Sequence, residues 1–269
     1  VRGLDELDRV DWQRLDHAYG DAGDVPDLLR SLHDEDAVGE LVAALCHQGV
    51  RFSASAAAVP YLAGIALDTG EVPPLMLLGF LAIGDDDAYA FPRPPEADGA
   101  MDPDAVAAYQ AVRAEVPALL PLLAHADLRT AATAAWLVSW FPALAAQTLP
   151  AVRASRPTTT VTIARGLLGD RTVGPGGWAE AVAALCAGDT DWAVDAVLAA
   201  ARRLGESDLV DEDLPYLGGD VAGVLASALR LLPPERRSEA IATVRILADR
   251  AKPPFATRLR TMRDAMMAG

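Results

Sequence analysis

The chain has 269 residues, 52% hydrophobic but only 6% aromatic, and 38 acidic against 23 basic side chains leave a formal charge of −15. Such a length suits one large domain or two small ones. Two cysteines and 21 glycines exclude a disulfide scaffold and a collagen-like chain, the apolar content excludes wholesale disorder, and the acidic charge opposes binding to a phosphate backbone.

Residues 1–24 read as an N-terminal cap: Trp12, Leu15 and Tyr19 stand among many acids and predict a capping helix. The segment lacks the apolar core of a secretory signal, and the longest apolar run, Val72 to Ile83, holds Pro73, Pro74 and Gly79 and is too short for a bilayer. A soluble cytoplasmic protein with no membrane contact is expected. Cys46 and Cys186 sit far apart in apolar stretches and read as free, buried thiols.

A short phrase then recurs: Val25-Pro26-Asp27-Leu28, Val59-Pro60-Tyr61-Leu62, Val116-Pro117-Ala118-Leu119, Leu149-Pro150-Ala151-Val152 and Leu214-Pro215-Tyr216-Leu217. Prolines 26 and 60 are 34 residues apart, 117 and 150 are 33 apart, and 150 to 215 is 65, close to two periods. Because proline is tolerated in the first turn of a helix, each phrase predicts a helix start. Helix pairs follow at about 25–47, 57–83, 114–141, 146–168, 177–204, 211–232 and 234–268, the last a basic capping pair. In the fourth, Thr158 to Thr162 are all β-branched and favour a strand, but the period argues for helix.

The step from Pro60 to Pro117 is 57 residues, and the excess falls at 84–113: a loop from Gly84 to Asp104 and a short helix from about Ala105 to Arg113. Tyr89 and Phe91 in that loop would serve as a lid if it folded back; a solvated excursion is the alternative.

The clearest unit runs from Val116 to Pro142. Asp127 is the expected N-cap of its second helix, Arg129 follows, and Ala132, Ala135, Trp136, Ser139 and Trp140 share one face. This arrangement resembles a HEAT repeat. The 54 alanines then have a geometric reason, since small residues let helices approach closely. The expected fold is all-α: a right-handed α–α superhelix, a HEAT-like solenoid of about seven antiparallel helix pairs, forming a single domain over 1–269. At the head of the chain, Trp12, Leu15, His17, Ala18, Tyr19, Gly20, Val25 and Pro26, then His47, Gln48, Gly49, Arg51 and Ala54, resemble the opening of uncharacterised stand-alone bacterial HEAT-repeat proteins of actinobacterial type. That resemblance implies a fold and supplies no catalytic residues.

One constellation mixes acid, base and donor chemistry: His17, Tyr19, His47, Gln48 and Arg51, facing Asp85, Asp86 and Asp87 with Tyr89 beyond them. His and Asp would act as general base and acid and Arg51 would hold an anion. Alternatively, the same side chains cap helix ends and satisfy backbone groups between repeats. Gly49 permits a left-handed turn. Trp136 and Trp140 suit core packing, or stacking on a ligand from a concave wall. The four histidines show no zinc-like spacing, so no metal and no cofactor is expected.

Two main readings remain. The first is a scaffold presenting a concave surface to a protein or peptide partner, without catalysis of its own. The second is an enzyme or binder of small molecules, of a bacterial biosynthetic pathway, using the polar pocket. A DNA-binding reading would need a basic groove that the charge argues against. Residues 1–40 carry 12 acids against 4 arginines, whereas 230–269 carry 9 basic side chains against 4 acids.

Overall fold

The computed structural model describes residues 1–84, 91, 102–189, 192–205, 209–214, 219–251 and 255–268. Among these residues regular structure is almost entirely helical, and strand is confined to two ladders of two-residue strands and one isolated bridge. No single helix among the described residues is long and apolar enough to cross a membrane. The helices divide into two compact units, one ending at Phe141 and the other starting at Pro142.

The first unit opens with 3-10 turns at Leu4–Arg9 and Trp12–Arg14, then β1 (Asp16–His17), β2 (Gly20–Asp21), α1 (Val25–Arg30), α2 (Glu35–Leu45), β3 (Cys46–His47) and β4 (Val50–Arg51). The expected capping helix over 1–24 is thus replaced by two tight turns and a hairpin. Trp12, Leu15 and Tyr19 have helical spacing, but of the three only Trp12 is buried, so no continuous apolar face holds a helix there. Leu7 and Trp12 bury themselves individually, and the Trp12 indole donates to the Leu7 carbonyl at 2.9 Å.

Helices α3 (Ser53–Thr69), α4 (Val72–Ile83), α5 (Pro103–Leu119) and α6 (Leu128–Ser139) complete the unit. Asp127 caps α6 as expected, accepting from the Thr130 N–H at 2.9 Å. Hydrogen bonds to that carboxylate, chiefly from Thr130, hold its pKa below the ordinary value. The short helix expected near 105–113 is instead part of α5, which runs through Pro117.

Proline as a marker of helix starts holds at Pro26, in the first turn of α1. It fails at Pro60, Pro117 and Pro150, which lie inside α3, α5 and α7 (Ala145–Ala154). Good helix formers upstream extend each helix past its proline, and the lost backbone hydrogen bond is offset by burial on the following turn: in α3, Val59, Tyr61 and Leu62 are all 0% exposed. Pro215 lies outside the described residues.

The second unit continues from α7 with α8 (Thr159–Leu167), α9 (Trp178–Cys186), α10 (Ala193–Arg203), α11 (Val221–Leu229), α12 (Arg237–Arg250) and α13 (Phe255–Ala268). Helix wins over strand at the threonine run because the hydroxyls find partners. Thr158 caps α8, Thr159 donates to the Asp211 carboxylate at 2.8 Å and Thr160 donates to the Asp213 carbonyl. Cys46 is buried and Cys186 half-buried; neither is in a disulfide, and desolvation pushes the Cys186 thiol up to about 12.

Helices meet through small residues. In α6 every residue from Thr130 to Ser139 is buried, as is every residue of α11. The tightest approach is between α8 and α9, where a Cβ on Gly166 would lie 2.2 Å from the Ala183 carbonyl oxygen and 2.4 Å from its Cα. An alanine there gains about 1 kcal/mol of helix propensity but must push two backbones apart. Packing therefore decides the sign, and Gly166→Ala should lower unfolding free energy by at least about 2 kcal/mol in urea titrations. Gly39, exposed in α2 with nothing within 4 Å of a new Cβ, is the control. There Gly39→Ala should stabilise by up to about 1 kcal/mol. Equal effects at the two sites would refute the close-packing argument.

Below α8 lies a buried carboxylate that no sequence motif announces. Asp170, with its side chain 0% exposed, accepts from Arg153 Nε at 3.0 Å and Nη2 at 2.6 Å, and from Arg165 Nε at 2.8 Å. The Thr172 N–H at 3.0 Å and hydroxyl at 2.7 Å complete its partners. These bonds, Arg153 first, outweigh desolvation and hold its pKa well below the usual carboxylate range. A depressed folded-state pKa contributes stability that is present above the unfolded value and lost as pH falls through the folded one. Asp170→Asn should therefore cost about 3 kcal/mol at pH 7. Denaturant titrations should show the gap between wild type and variant narrowing steadily as pH is lowered from about 5 to 2.

Candidate functional site

Two hairpins of the same size stand 30 residues apart in the first unit, Asp16 to Asp21 and Cys46 to Arg51, and each places a histidine just before a two-residue turn. In the first, Asp16 pairs with Asp21 and His17 with Gly20. In the second, Cys46 pairs with Arg51 and His47 with Val50. Both central residues of the second turn have positive φ, 50° at Gln48 and 79° at Gly49, as a type I′ hairpin requires. Glycine satisfies this freely. Gln48 does so at a cost, and it is the single non-glycine residue with positive φ among the described residues.

The hairpins are held side by side. The Ala18 N–H donates to the Ala44 carbonyl at 3.0 Å, and the Asp16 N–H donates to Ser53 Oγ at 2.8 Å. His17 is buried at 7% exposure, with its Nε2 2.9 Å from Asp24 Oδ1 and its Nδ1 accepting the Tyr19 N–H at 3.0 Å. These partners assign the Nε2–H tautomer. Both ring nitrogens are therefore engaged, and His17 serves as a clasp on the turn rather than as a free base.

Tyr19 is 66% exposed and lies edge-on to both histidines, 6.0 Å from His17 at 71° and 5.7 Å from His47 at 72°. Its hydroxyl is 3.5 Å from His47 Nδ1, at the weak limit of a hydrogen bond. His17, Tyr19 and His47 thus form one column, with Gln48 exposed at the adjoining turn.

Arg51 does not join them. Directly opposed residues in a ladder share a face and neighbours along a strand alternate, so His47 and Val50 project to one side and Cys46 and Arg51 to the other. The Arg51 Nη1 donates to the Gly49 carbonyl and lies against Gly84, just past the end of α4. Its Nε is buried without a partner among the described residues. A cation at a helix C-terminus is favoured by the helix dipole. The Cys46 thiol on the same face points to the Phe80 carbonyl at 3.6 Å.

Asp85, Asp86, Asp87 and Tyr89 lie outside the described residues. Trp136 and Trp140 are placed in the core, 2% and 5% exposed, with rings 5.9 Å apart at 78°. Stacking on a ligand from a concave wall is corrected accordingly: α6 is buried from Thr130 to Ser139, and both indoles are enclosed by protein. Among the described residues no three His, Cys, Asp or Glu side chains converge as a metal site would need.

Sequence reasoning missed Val50, which the hairpin turns outward to 49% exposure beside His47. It also missed the direct opposition of Asp16 and Asp21, both exposed, which sets like charges face to face. The turn signature Gln48-Gly49 between Cys46-His47 and Val50-Arg51 was the signal for both hairpin and register. No family model, curated protein or solved structure matches this chain.

Replacing Gln48 with glycine removes the left-handed cost while keeping the turn. Gln48→Gly should raise unfolding free energy by about 1 kcal/mol, read by thermal or urea denaturation. A loss of stability instead would mean that the glutamine side chain holds the hairpin.

Proposed function

We propose that this chain is a helical-repeat scaffold that binds a protein or peptide through an exposed edge of its first unit, without chemistry of its own. The observation that carries the reading is alternate-helix packing. Besides packing on its sequence neighbour, α3 packs on α5, α4 on α6, α10 on α12 and α11 on α13. First helices stacking on first helices, and second on second, is the arrangement of repeated helix pairs, and it supports a HEAT-like stack. Such stacks supply extended surfaces on rigid supports.

The recognition edge is formed by Tyr19, His47, Gln48 and Val50. An exposed tyrosine fixed edge-on between two imidazoles offers contact area with little conformational freedom left to lose on binding. His17 and Arg51 support the two turns from within. Catalysis at the same place has less to draw on, since His17 has no free nitrogen and Arg51 projects away from His47.

Photo-crosslinking tests this reading. With p-benzoylphenylalanine at position 19 or 48, a lysate of the source organism should give a discrete crosslinked protein; the same group at Leu231, exposed in the second unit, should not. Absence of any discrete product at 19 and 48, or the same product at all three positions, would overturn the proposal.

A further inference from the structure

Short turns in this chain are closed by carboxylates at Asp21, Asp34, Asp102 and Asp170, where a side-chain oxygen accepts the backbone N–H two residues on. Between β1 and β2 an imidazole takes that place, with His17 Nδ1 accepting the Tyr19 N–H at 3.0 Å. An ionised carboxylate only accepts, but an imidazole becomes a donor at both nitrogens once it takes a second proton. His125 closes a turn onto the Asp127 N–H in the same way at 3.2 Å, but it is half-buried, whereas the His17 side chain is 5% exposed.

The second nitrogen of His17 fixes where the ring stays. Asp24 stands at the N-cap of α1, where an aspartate ordinarily accepts from the first helical N–H groups. It makes no such bond and is turned instead to His17 Nε2 at 2.9 Å, the ring's one ion-pair partner among the described residues. Asp16 and Asp21 lie on the other face of the ladder. Helix α3, packed on β1, carries a single charged residue, Asp68, near its far end. Helix α2, whose Ala44 carbonyl takes the Ala18 N–H, brings Glu40 one turn back, exposed. In the neighbouring turns Arg14 pairs with Asp11 and Asp27 with Arg30, and His47 lies beyond the Tyr19 ring.

A second proton on His17 goes to Nδ1, since Nε2 already carries one. Nδ1 then faces the Tyr19 N–H as donor against donor. No rotation of the imidazolium recovers an acceptor. The bond to Asp24 meanwhile becomes an ion pair, so the ring stays moored and the turn carrying Tyr19 is what gives way.

We propose that His17 is a proton-controlled latch: the neutral ring holds the Tyr19 edge in order for its partner, and proton uptake from solvent frees the turn and weakens binding in acid. The proposal rests on the recognition edge described above and names its regulation.

Nuclear magnetic resonance of the full chain, titrated from about pH 8 to 5, reads both halves of the latch. At the upper end His17 should carry a proton on Nε2 alone, and the Tyr19 amide should be protected from exchange. On acidification the Tyr19 amide shift should move with the midpoint of the His17 ring, and its protection should fall about tenfold or more. The Asp36 amide, held by Asp34, should keep its protection. His17→Asn keeps an acceptor for the amide of residue 19 without a titrating group. That amide should then stay protected throughout, whereas His47→Asn should leave the transition in place. A transition that follows the His47 ring, one that persists in a folded His17→Asn variant, or a proton on Nδ1 at the upper end would overturn the proposal. Should His17→Asn fail to fold, the wild-type midpoints still decide.

Crosslinking from p-benzoylphenylalanine at position 48, repeated over the same range, reads binding. The yield of the discrete product should fall about fivefold or more in acid and stay level when His17→Asn is added. A level yield with His17 in place would overturn the proposal. No product at positions 19 and 48 at any pH would instead remove the recognition reading, while the midpoints would still decide whether His17 releases the turn.

Discussion

Close approach of helix backbones is the constraint on which the rest of this structure depends. A chain with few aromatics cannot fill wide gaps between helices, so its helices must meet nearly backbone to backbone. Glycine and alanine at the contacts make this possible, as where Gly166 meets Ala183 with no room for even a methyl group. Dispersion and burial then act over short distances along whole helix faces, not through a few large side chains. The alanine-rich composition is the direct expression of that geometry. The cost is intolerance: a face built from methyl groups cannot absorb an added one by moving a flexible neighbour.

Much of the helical architecture was legible because such packing imposes a period. Helix-pair boundaries near 57–83, 146–168 and 177–204 fall close to observed elements, the pair set at 114–141 begins earlier, at Pro103, and the threonine-rich segment is helical as the period argued. The errors have physical causes. Proline was read as a start signal, yet at Pro60, Pro117 and Pro150 burial on one turn outweighs a single missing hydrogen bond. The first 24 residues were read as helix because the repeat logic demanded a cap, whereas their few apolar residues bury singly and leave the backbone free to turn. At the candidate site, residue types were readable but faces were not. His47, Gln48 and Arg51 are neighbours in sequence, and only the pleat of a two-residue ladder puts His47 with Val50 and sends Arg51 the other way.

The carboxylates of the two units show how a structural group differs from one free to bind. Asp170 is fully buried and meets two guanidinium groups and a threonine, leaving neither oxygen without a donor. Asp220 is likewise buried: it caps α11 through the Gly223 N–H at 2.9 Å and faces Arg258 at 3.3 Å, while desolvation raises its pKa against those contacts. Both are committed to the fold. Removing either charge would leave arginines and backbone donors facing a partner they were arranged around.

The first hairpin reverses each of these features. Its carboxylates are exposed, opposed to one another and without an ion-pair partner among the described residues, and its aromatic residue is exposed while the histidine beside it is buried. The clasp from His17 to the Tyr19 backbone spends a buried imidazole, with Asp24 behind it, on the shape of a two-residue turn. Ordering of that kind lowers the entropy lost when a surface group meets a partner. The restraint from His17 therefore acts on a residue that is itself open to solvent, and the recognition role proposed for this edge rests on that pairing of restraint with exposure.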